Sequence, residues 1–157
     1  MRAGINNRNA VLLLAAIPVA VATAVFAFQA GSIPSSRQIT PEDLARIVGS
    51  AKSEKPVMLQ VGSHVLYQQA HIPGSEYAGP ASSENGLQAL RKRVESLPRS
   101  TFIVLYCGCC PWNHCPNIKP ADDLLQSLGF QNVKVLYIAN NFGTDWVDKG
   151  YPVAKGE

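Results

Sequence analysis

Cysteine is missing from this 157-residue chain everywhere except one window, and the four that occur, Cys107, Cys109, Cys110 and Cys115, fall within nine positions of "YCGCCPWNHCPN" (106–117). A structural zinc site usually draws its ligands from two separated knuckles, so this single loop is a poor match for one. Charge is also scarce, with 14 Lys and Arg against 11 Asp and Glu. Two of the basic residues, Arg2 and Arg8, precede an apolar run, and from Phe28 onward 12 basic residues face 11 acidic ones. A nearly neutral chain lacks the basic stripe that a nucleic-acid partner would need. The one candidate run, Arg91-Lys92-Arg93, reads as the solvated face of a helix whose buried side is Leu87, Leu90, Val94 and Leu97. No internal repeat is visible, and the length leaves room for one domain and little for a second.

The stretch "AVLLLAAIPVAVATAVFAF" (10–28) lacks both charge and a polar face, which argues against a core helix at a protein surface. Behind Arg2 and Arg8 it reads as an export segment. Residues 1–27 are expected to be a signal peptide cleaved after Ala27 or, since about 19 apolar residues suffice to cross a bilayer, an N-terminal membrane anchor. Positive charge on its N-terminal side holds that end in the cytoplasm. The expectation is therefore a periplasmic or otherwise extracytoplasmic domain, 39–153, joined by a polar linker, 28–38, and tethered through residues 10–28 if the segment is retained.

Thr40-Pro41-Glu42-Asp43 combines a capping residue, proline at the first helical position and acids in the first turn, so a short amphipathic helix starts the domain. "KPVMLQV" (55–61) reads as a buried strand, "HIPGSEYAG" (71–79) as turns, and 85–97 as a helix stopped by Pro98. "TFIVLYC" (101–107), β-branched and aromatic, is the strongest strand and ends on Cys107. A helix is expected from Pro120 to Gly129, a strand over 132–138 and a last helical turn at "TDWVDKG" (144–150). This alternation predicts an α/β domain with a mostly parallel central sheet and helices on both faces. Ligands in such folds bind beyond the carboxyl ends of the strands, where Cys107 sits. The loop then runs into a helix N-terminus, whose free N–H groups and dipole are expected to lower the pKa of Cys107, with Asp122 and Asp123 working against the shift.

Taken in order, "ITPEDLARIV" (39–48), "AHIPGSEY" (70–77), "LPRSTFIVLYC" (97–107), "LLQSLGFQNVKVLYI" (124–138) and "WVDKGYPV" (146–153) resemble a rhodanese-like domain. The resemblance implies a sulfurtransferase in which Cys107 is the nucleophile, carries sulfane sulfur as a persulfide and passes it to a thiol acceptor. It further implies an active-site loop of Gly108, Cys109, Cys110, Pro111, Trp112 and Asn113 whose amides hold the charge. Three departures stand out. Gln60 and Gly62 replace an Asp and an Arg of many relatives, the loop is longer by about four residues with two prolines, and no arginine follows Arg99. The last argues against phosphatase or arsenate-reductase chemistry, which needs a guanidinium fork on a tetrahedral oxyanion. Lys119 offers at most a mobile point charge.

The cysteines leave three chemistries open. In sulfur transfer, Cys110 or Cys115 would resolve or relay the Cys107 persulfide, with a small sulfur donor and a thiol acceptor as partners and no cofactor. In thiol–disulfide redox work, Cys107 and Cys110 have the C-x-x-C spacing. In metal binding, Cys107, Cys109, Cys110, His114 and Cys115 would hold copper(I) or, less fittingly, zinc. Trp112 is expected as a lid or a loop anchor, His71 as a structural tie, Trp146 and Tyr151 as closing hydrophobic contacts, and Asn140, Asn141, Gly143 and Thr144 as a polar border to the site.

Overall fold

The computed structural model describes Met1, residues 33–51 and residues 54–156, so the expected export segment and the start of the linker lie outside the described residues. Among the described residues no helix is long and apolar enough to cross a membrane.

Five strands form one parallel sheet in the order β1-β5-β4-β2-β3: β1 (Gln38–Ile39), β2 (Val57–Gln60), β3 (Glu76–Tyr77), β4 (Ile103–Tyr106) and β5 (Val133–Leu136). Parallel neighbours require crossover connections, and helices supply them. α1 (Pro41–Gly49) links β1 to β2, α2 (His64–Gln69) precedes β3, α3 (Glu84–Val94) leads to β4, and α4 (Ile118–Ser127) leads to β5. β4 is central: Val57 to Gln60 pair with Ile103 to Tyr106 on one side, and Ile103 to Leu105 pair with Val133 to Val135 on the other.

Burial on both faces explains why β4 is apolar at every position. Ile103 and Leu105 point into a core with Leu59, Leu90, Val94, Ala121 and Leu125, which is the α3 and α4 side. Val104 and Tyr106 point the other way, against Leu44 and Ala45 of α1 and Phe142 and Trp146 near the C-terminus. Each large side chain so enclosed contributes roughly 1.5–3 kcal/mol of transfer free energy. Helix starts follow local chemistry. The Thr40 hydroxyl accepts the Asp43 N–H at 3.1 Å ahead of α1, and the Ser83 hydroxyl accepts the Gly86 N–H at 3.1 Å ahead of α3.

Three elements escape the periodicity reading. β1 and β3 are two residues each and α2 is six, too short to carry a pattern, and β3 lies inside the segment expected to be all turns. α4 begins at Ile118, two residues before Pro120. Proline is tolerated there because the first-turn N–H groups have no intrahelical acceptor to lose. The expected last helical turn is a short π-helical segment, Gly143–Val147.

Candidate functional site

The carboxyl edge of the sheet opens into a cleft of about 390 Å³ between α2 and the Gly143–Val147 segment, lined among others by Gln60, Leu66, Cys107, Cys109, Phe142 and Val147. Cys107 follows β4 directly and is 4 % exposed. Its sulfur lies over Gly62, where a Cβ would stand 2.5 Å from it, so glycine is what lets the thiol seat at the end of β2. Gln60, buried beside it, donates from Nε2 to the Cys107 carbonyl at 3.0 Å and accepts the Gly62 N–H at 3.1 Å. One neutral amide therefore ties the ends of β2 and β4 where the Asp and Arg of the resemblance are missing. Gly108 turns the chain with φ +89°, and a Cβ there would meet Phe142 Cβ at 2.7 Å. The Gly108 carbonyl accepts the Phe142 N–H at 2.9 Å, which joins the loop to the far wall of the cleft.

The sulfur atoms form a cluster. Cys107 Sγ lies 3.3 Å from Cys109 Sγ, and Cys109 Sγ lies 3.1 Å from Cys110 Sγ. The sulfurs of Cys107, Cys109 and Cys115 all fall within 4.8 Å of one another. Cys107 and Cys115 are buried, Cys110 is half-buried and Cys109 is exposed. Asn117 reaches in from the position just before α4. Its side chain does not cap the helix; Oδ1 accepts the Ser82 N–H at 2.9 Å, which turns Nδ2 toward Cys107 Sγ at 3.5 Å.

Hydrogen bonding and burial favour a thiolate on Cys115 over one on Cys107. The hydrogen bond that Cys107 gives to Cys115, followed by burial, pushes the Cys107 thiol far above its ordinary range. The same bond draws Cys115 down to about 5 against the cost of burial, helped by the N–H groups of Asn117 and Ile118. These are the free donors at the start of α4. The two thiols titrate as a pair, one proton shared between two sulfurs. Cys110 is raised to about 12, by burial first and then by Cys109.

This corrects the expectation that helix α4 would lower the pKa of Cys107. The long loop brings Cys115, not Cys107, to the helix N-terminus. The expected ring of loop amides is also reshaped. The Cys109 N–H favours the Cys107 thiolate, but the Trp112 N–H is taken by the Ile138 carbonyl at 2.9 Å and Pro111 has none to give. Asn113 and His114 sit with Trp112 in a single 3-10 turn, and the His114 N–H is spent on the Pro111 carbonyl at 2.9 Å. Trp112 packs against Tyr137, with ring centroids 6.1 Å apart, and lies outside the cleft lining, so it anchors the loop to the β5 end. Lys119 pairs with Asp123 at 2.6 Å, and Asp122 turns to Arg37 at 2.8 Å, so neither acid opposes a thiolate in the first turn as expected. Of the five expected metal ligands, three thiols converge; His114 and Cys110 stand outside that group. Cys107 Sγ lies against the sulfurs of Cys109 and Cys115, where the C-x-x-C reading pairs it with Cys110.

Other positions fall as their residue types predict. His71 forms a backbone bridge to Ala154 and sets Nδ1 2.8 Å from the Tyr67 carbonyl oxygen, a structural tie. Trp146 is fully buried, with Tyr151 edge-on at 5.2 Å. Asn141 and Gly143 line the cleft, while the Asn140 side chain is held by Asp145 at 3.0 Å. Asn117, Ser82 and Phe142 were not foreseen from the sequence. The legible signal was Asn117 alone, a polar residue two positions beyond the last cysteine at a helix start.

No protein-family model and no curated protein matches this chain. Solved structures do. The Alr3790 protein from Anabaena sp. superposes with a TM-score of 0.58 at 19% identity, over 75% of this chain and 92% of that one. The BH2092 protein from Bacillus halodurans gives 0.58 at 21% identity, over 76% of this chain and 77% of that one. The Saccharomyces cerevisiae single-domain sulfurtransferase RDL2 gives 0.54 at 16% identity, over 76% of this chain and 95% of that one. Another solved structure of Alr3790 is of its rhodanese-like domain, with a TM-score of 0.55 at 21% identity over 76% of this chain and 79% of that one. The fold of this chain is the rhodanese-like α/β fold.

Proposed function

We propose that this rhodanese-fold domain is a sulfurtransferase that carries sulfane sulfur as a persulfide on Cys107. The observation that carries the reading is the seating of Cys107 Sγ at the carboxyl end of the central strand, over Gly62 and facing the cleft. The sulfurtransferase neighbour of the same fold supports it.

The chemistry follows from the thiol pair. Cys107 gives its proton to the Cys115 thiolate as its sulfur attacks the outer sulfur of a persulfide or polysulfide. A Cys107 S–S bond forms, the donor S–S bond breaks, and the shortened donor leaves as a thiolate. An acceptor thiolate then attacks the outer sulfur of the Cys107 persulfide. Cys107 leaves with the electron pair and recovers its proton from Cys115. Such pairing of a nucleophile with an adjacent base is the usual way to activate a thiol of high pKa. The Asn117 amide and the Cys109 N–H favour the negative sulfur as it forms. With no arginine after Arg99, a persulfide or polysulfide suits the cleft better than thiosulfate, whose oxyanion would lack a fork. The apolar stretch 10–28 behind Arg2 and Arg8 supports placing the domain outside the cytoplasmic membrane, on a cleaved or retained N-terminal segment.

The test is native intact mass of the reduced protein before and after exposure to polysulfide, with Cys107→Ser alongside. A reducible increment of one sulfur atom that disappears in Cys107→Ser is the expected result. Sulfur uptake that survives the substitution would sink the assignment.

A further inference from the structure

The exposed Cys109 is a sulfur that the transfer chemistry does not require, and it lies against the one that it does. We propose that Cys107, Cys109 and Cys115 form a three-thiolate site for copper(I), and that metal and sulfane sulfur compete for Cys107.

Geometry carries the proposal. A metal ion at the centre of a thiolate triangle with metal–sulfur bonds of about 2.3 Å needs sulfurs separated by about 4.0 Å. The three sulfurs here lie within 4.8 Å of one another, and those of Cys107 and Cys109 are 3.3 Å apart. Shifts of less than ~1 Å in side chains of one loop would complete the site. The donor set selects the ion. It holds sulfur alone, with no carboxylate in the group and with His114 outside it. Thiolates without oxygen or nitrogen partners favour copper(I) over hard divalent ions. Zinc prefers four ligands in a tetrahedron, and the fourth sulfur, Cys110, lies beyond Cys109 and outside the triangle.

The surroundings suit a negatively charged metal–thiolate unit. The N–H groups of Asn117 and Ile118 act on Cys115, and the Asn117 amide lies 3.5 Å from Cys107 Sγ. Cys107 and Cys115 are buried while Cys109 faces solvent, which gives an incoming ion a first ligand at the surface and two more below it. Binding exchanges thiol protons for the metal and moves no electrons. In a loaded site the Cys107 sulfur shares its charge with the metal and is held in the triangle, which lowers its nucleophilicity toward an incoming sulfur.

The experiment titrates the reduced full chain anaerobically with copper(I) in the presence of bicinchoninate, a chromophoric copper(I) chelator. One copper per chain should leave the chelator. Cys109→Ser should weaken binding by more than the ~10–100-fold that changes outside the ligand shell cost. Cys110→Ser should leave it within about threefold, below that same range. Prior loading with copper(I) should block sulfur uptake from polysulfide in the parent protein, and stripping the metal with excess bicinchoninate should restore it. Copper that stays on the chelator overturns the proposal. So does a Cys110→Ser loss equal to that of Cys109→Ser, or tighter zinc binding that needs all four thiols. Copper binding is read from the chelator and sulfur loading from intact mass on the parent protein, so failure of the metal site leaves the sulfur-loading result standing, and failure of sulfur loading leaves the copper result standing.

Discussion

Gly62→Ala tests whether the Cys107 sulfur sits where the cleft chemistry requires it. The added Cβ would stand 2.5 Å from Cys107 Sγ, 3.2 Å from Gln60 Nε2 and 3.3 Å from the Cys107 carbonyl oxygen. Ordinary contact between such atoms lies near 3.5–4.0 Å, so the sulfur must recede by about 1 Å. It has little space to do so, with Cys109 Sγ at 3.3 Å and Asn117 Nδ2 at 3.5 Å on its other sides. Overpacking of this kind costs about 1–3 kcal/mol, against ~0.4–1 kcal/mol gained because alanine restricts the unfolded chain more than glycine does. At mid-range the clash outweighs the gain by about 1.3 kcal/mol, which for a domain of this size corresponds to a fall in Tm of roughly 3–10 °C. The larger effect is kinetic. A reacting atom misplaced by about 1 Å loses on the order of 10²-fold in rate, so sulfur loading of Cys107 should fall by about that factor. Differential scanning calorimetry and the time course of sulfur uptake by intact mass measure the two effects. An unchanged Tm together with an unchanged loading rate would refute the packing of Cys107 over Gly62.

Three further outcomes follow from the same geometry. Cys115→Ser should remove the ionisation near 5 that belongs to the Cys107–Cys115 pair, so the pH midpoint for alkylation of the buried thiols should rise to the ordinary thiol range or above; an unmoved midpoint would place the charge elsewhere. Asn117→Asp keeps an acceptor for the Ser82 N–H but sets a carboxylate against Cys107, and sulfur loading should slow by about tenfold or more, as expected for losing a hydrogen bond to a charged group; a rate equal to that of the parent would remove Asn117 from the site. Arg37→Met should destabilise the fold by ~2 kcal/mol near pH 7, less than a fully buried pair because Arg37 is partly exposed. Asp122 is 1 % exposed and its Oδ2 has no hydrogen-bond partner among the described residues. Burial therefore raises its pKa, with Arg37 opposing the rise. An acid whose pKa is higher folded than unfolded binds more protons in the native state, so its contribution to stability falls as pH rises from the unfolded value toward the folded one. Removing Arg37 enlarges that fall, and the loss measured by urea titration should be greater at pH 7 than at pH 4; an equal loss at both would refute it.

The start of α1 and the central strand were legible because their causes are local. Thr40 and Pro41 cap and open α1 through neighbours in sequence, and Ile103 to Tyr106 are apolar at each position because a central parallel strand is covered on both faces. β1, β3 and α2 were not legible. A two-residue strand is held by its sheet partner, as Gln60 and Tyr77 show for β3, and leaves no period of its own. In the site, the position of Cys107 at the end of β4 could be read directly. The placement of Cys115 and Asn117 could not, since both depend on where a loop of unusual length delivers them.

By itself the sequence determined an α/β alternation and placed every cysteine beyond the carboxyl end of the strongest strand. Those features rest on interactions between near neighbours and on burial that residue type reports. Only the tertiary structure decided that Cys107 faces the cleft across Gly62 while Cys115 takes the N-terminal amides of α4. Only it set Asn117 between Ser82 and Cys107, and three sulfurs within reach of one ion. Charge on a thiol depends on which donors surround it in space, and contacts such as that of Ser82 with Asn117, 35 residues apart, exist only once the sheet has brought the chain together.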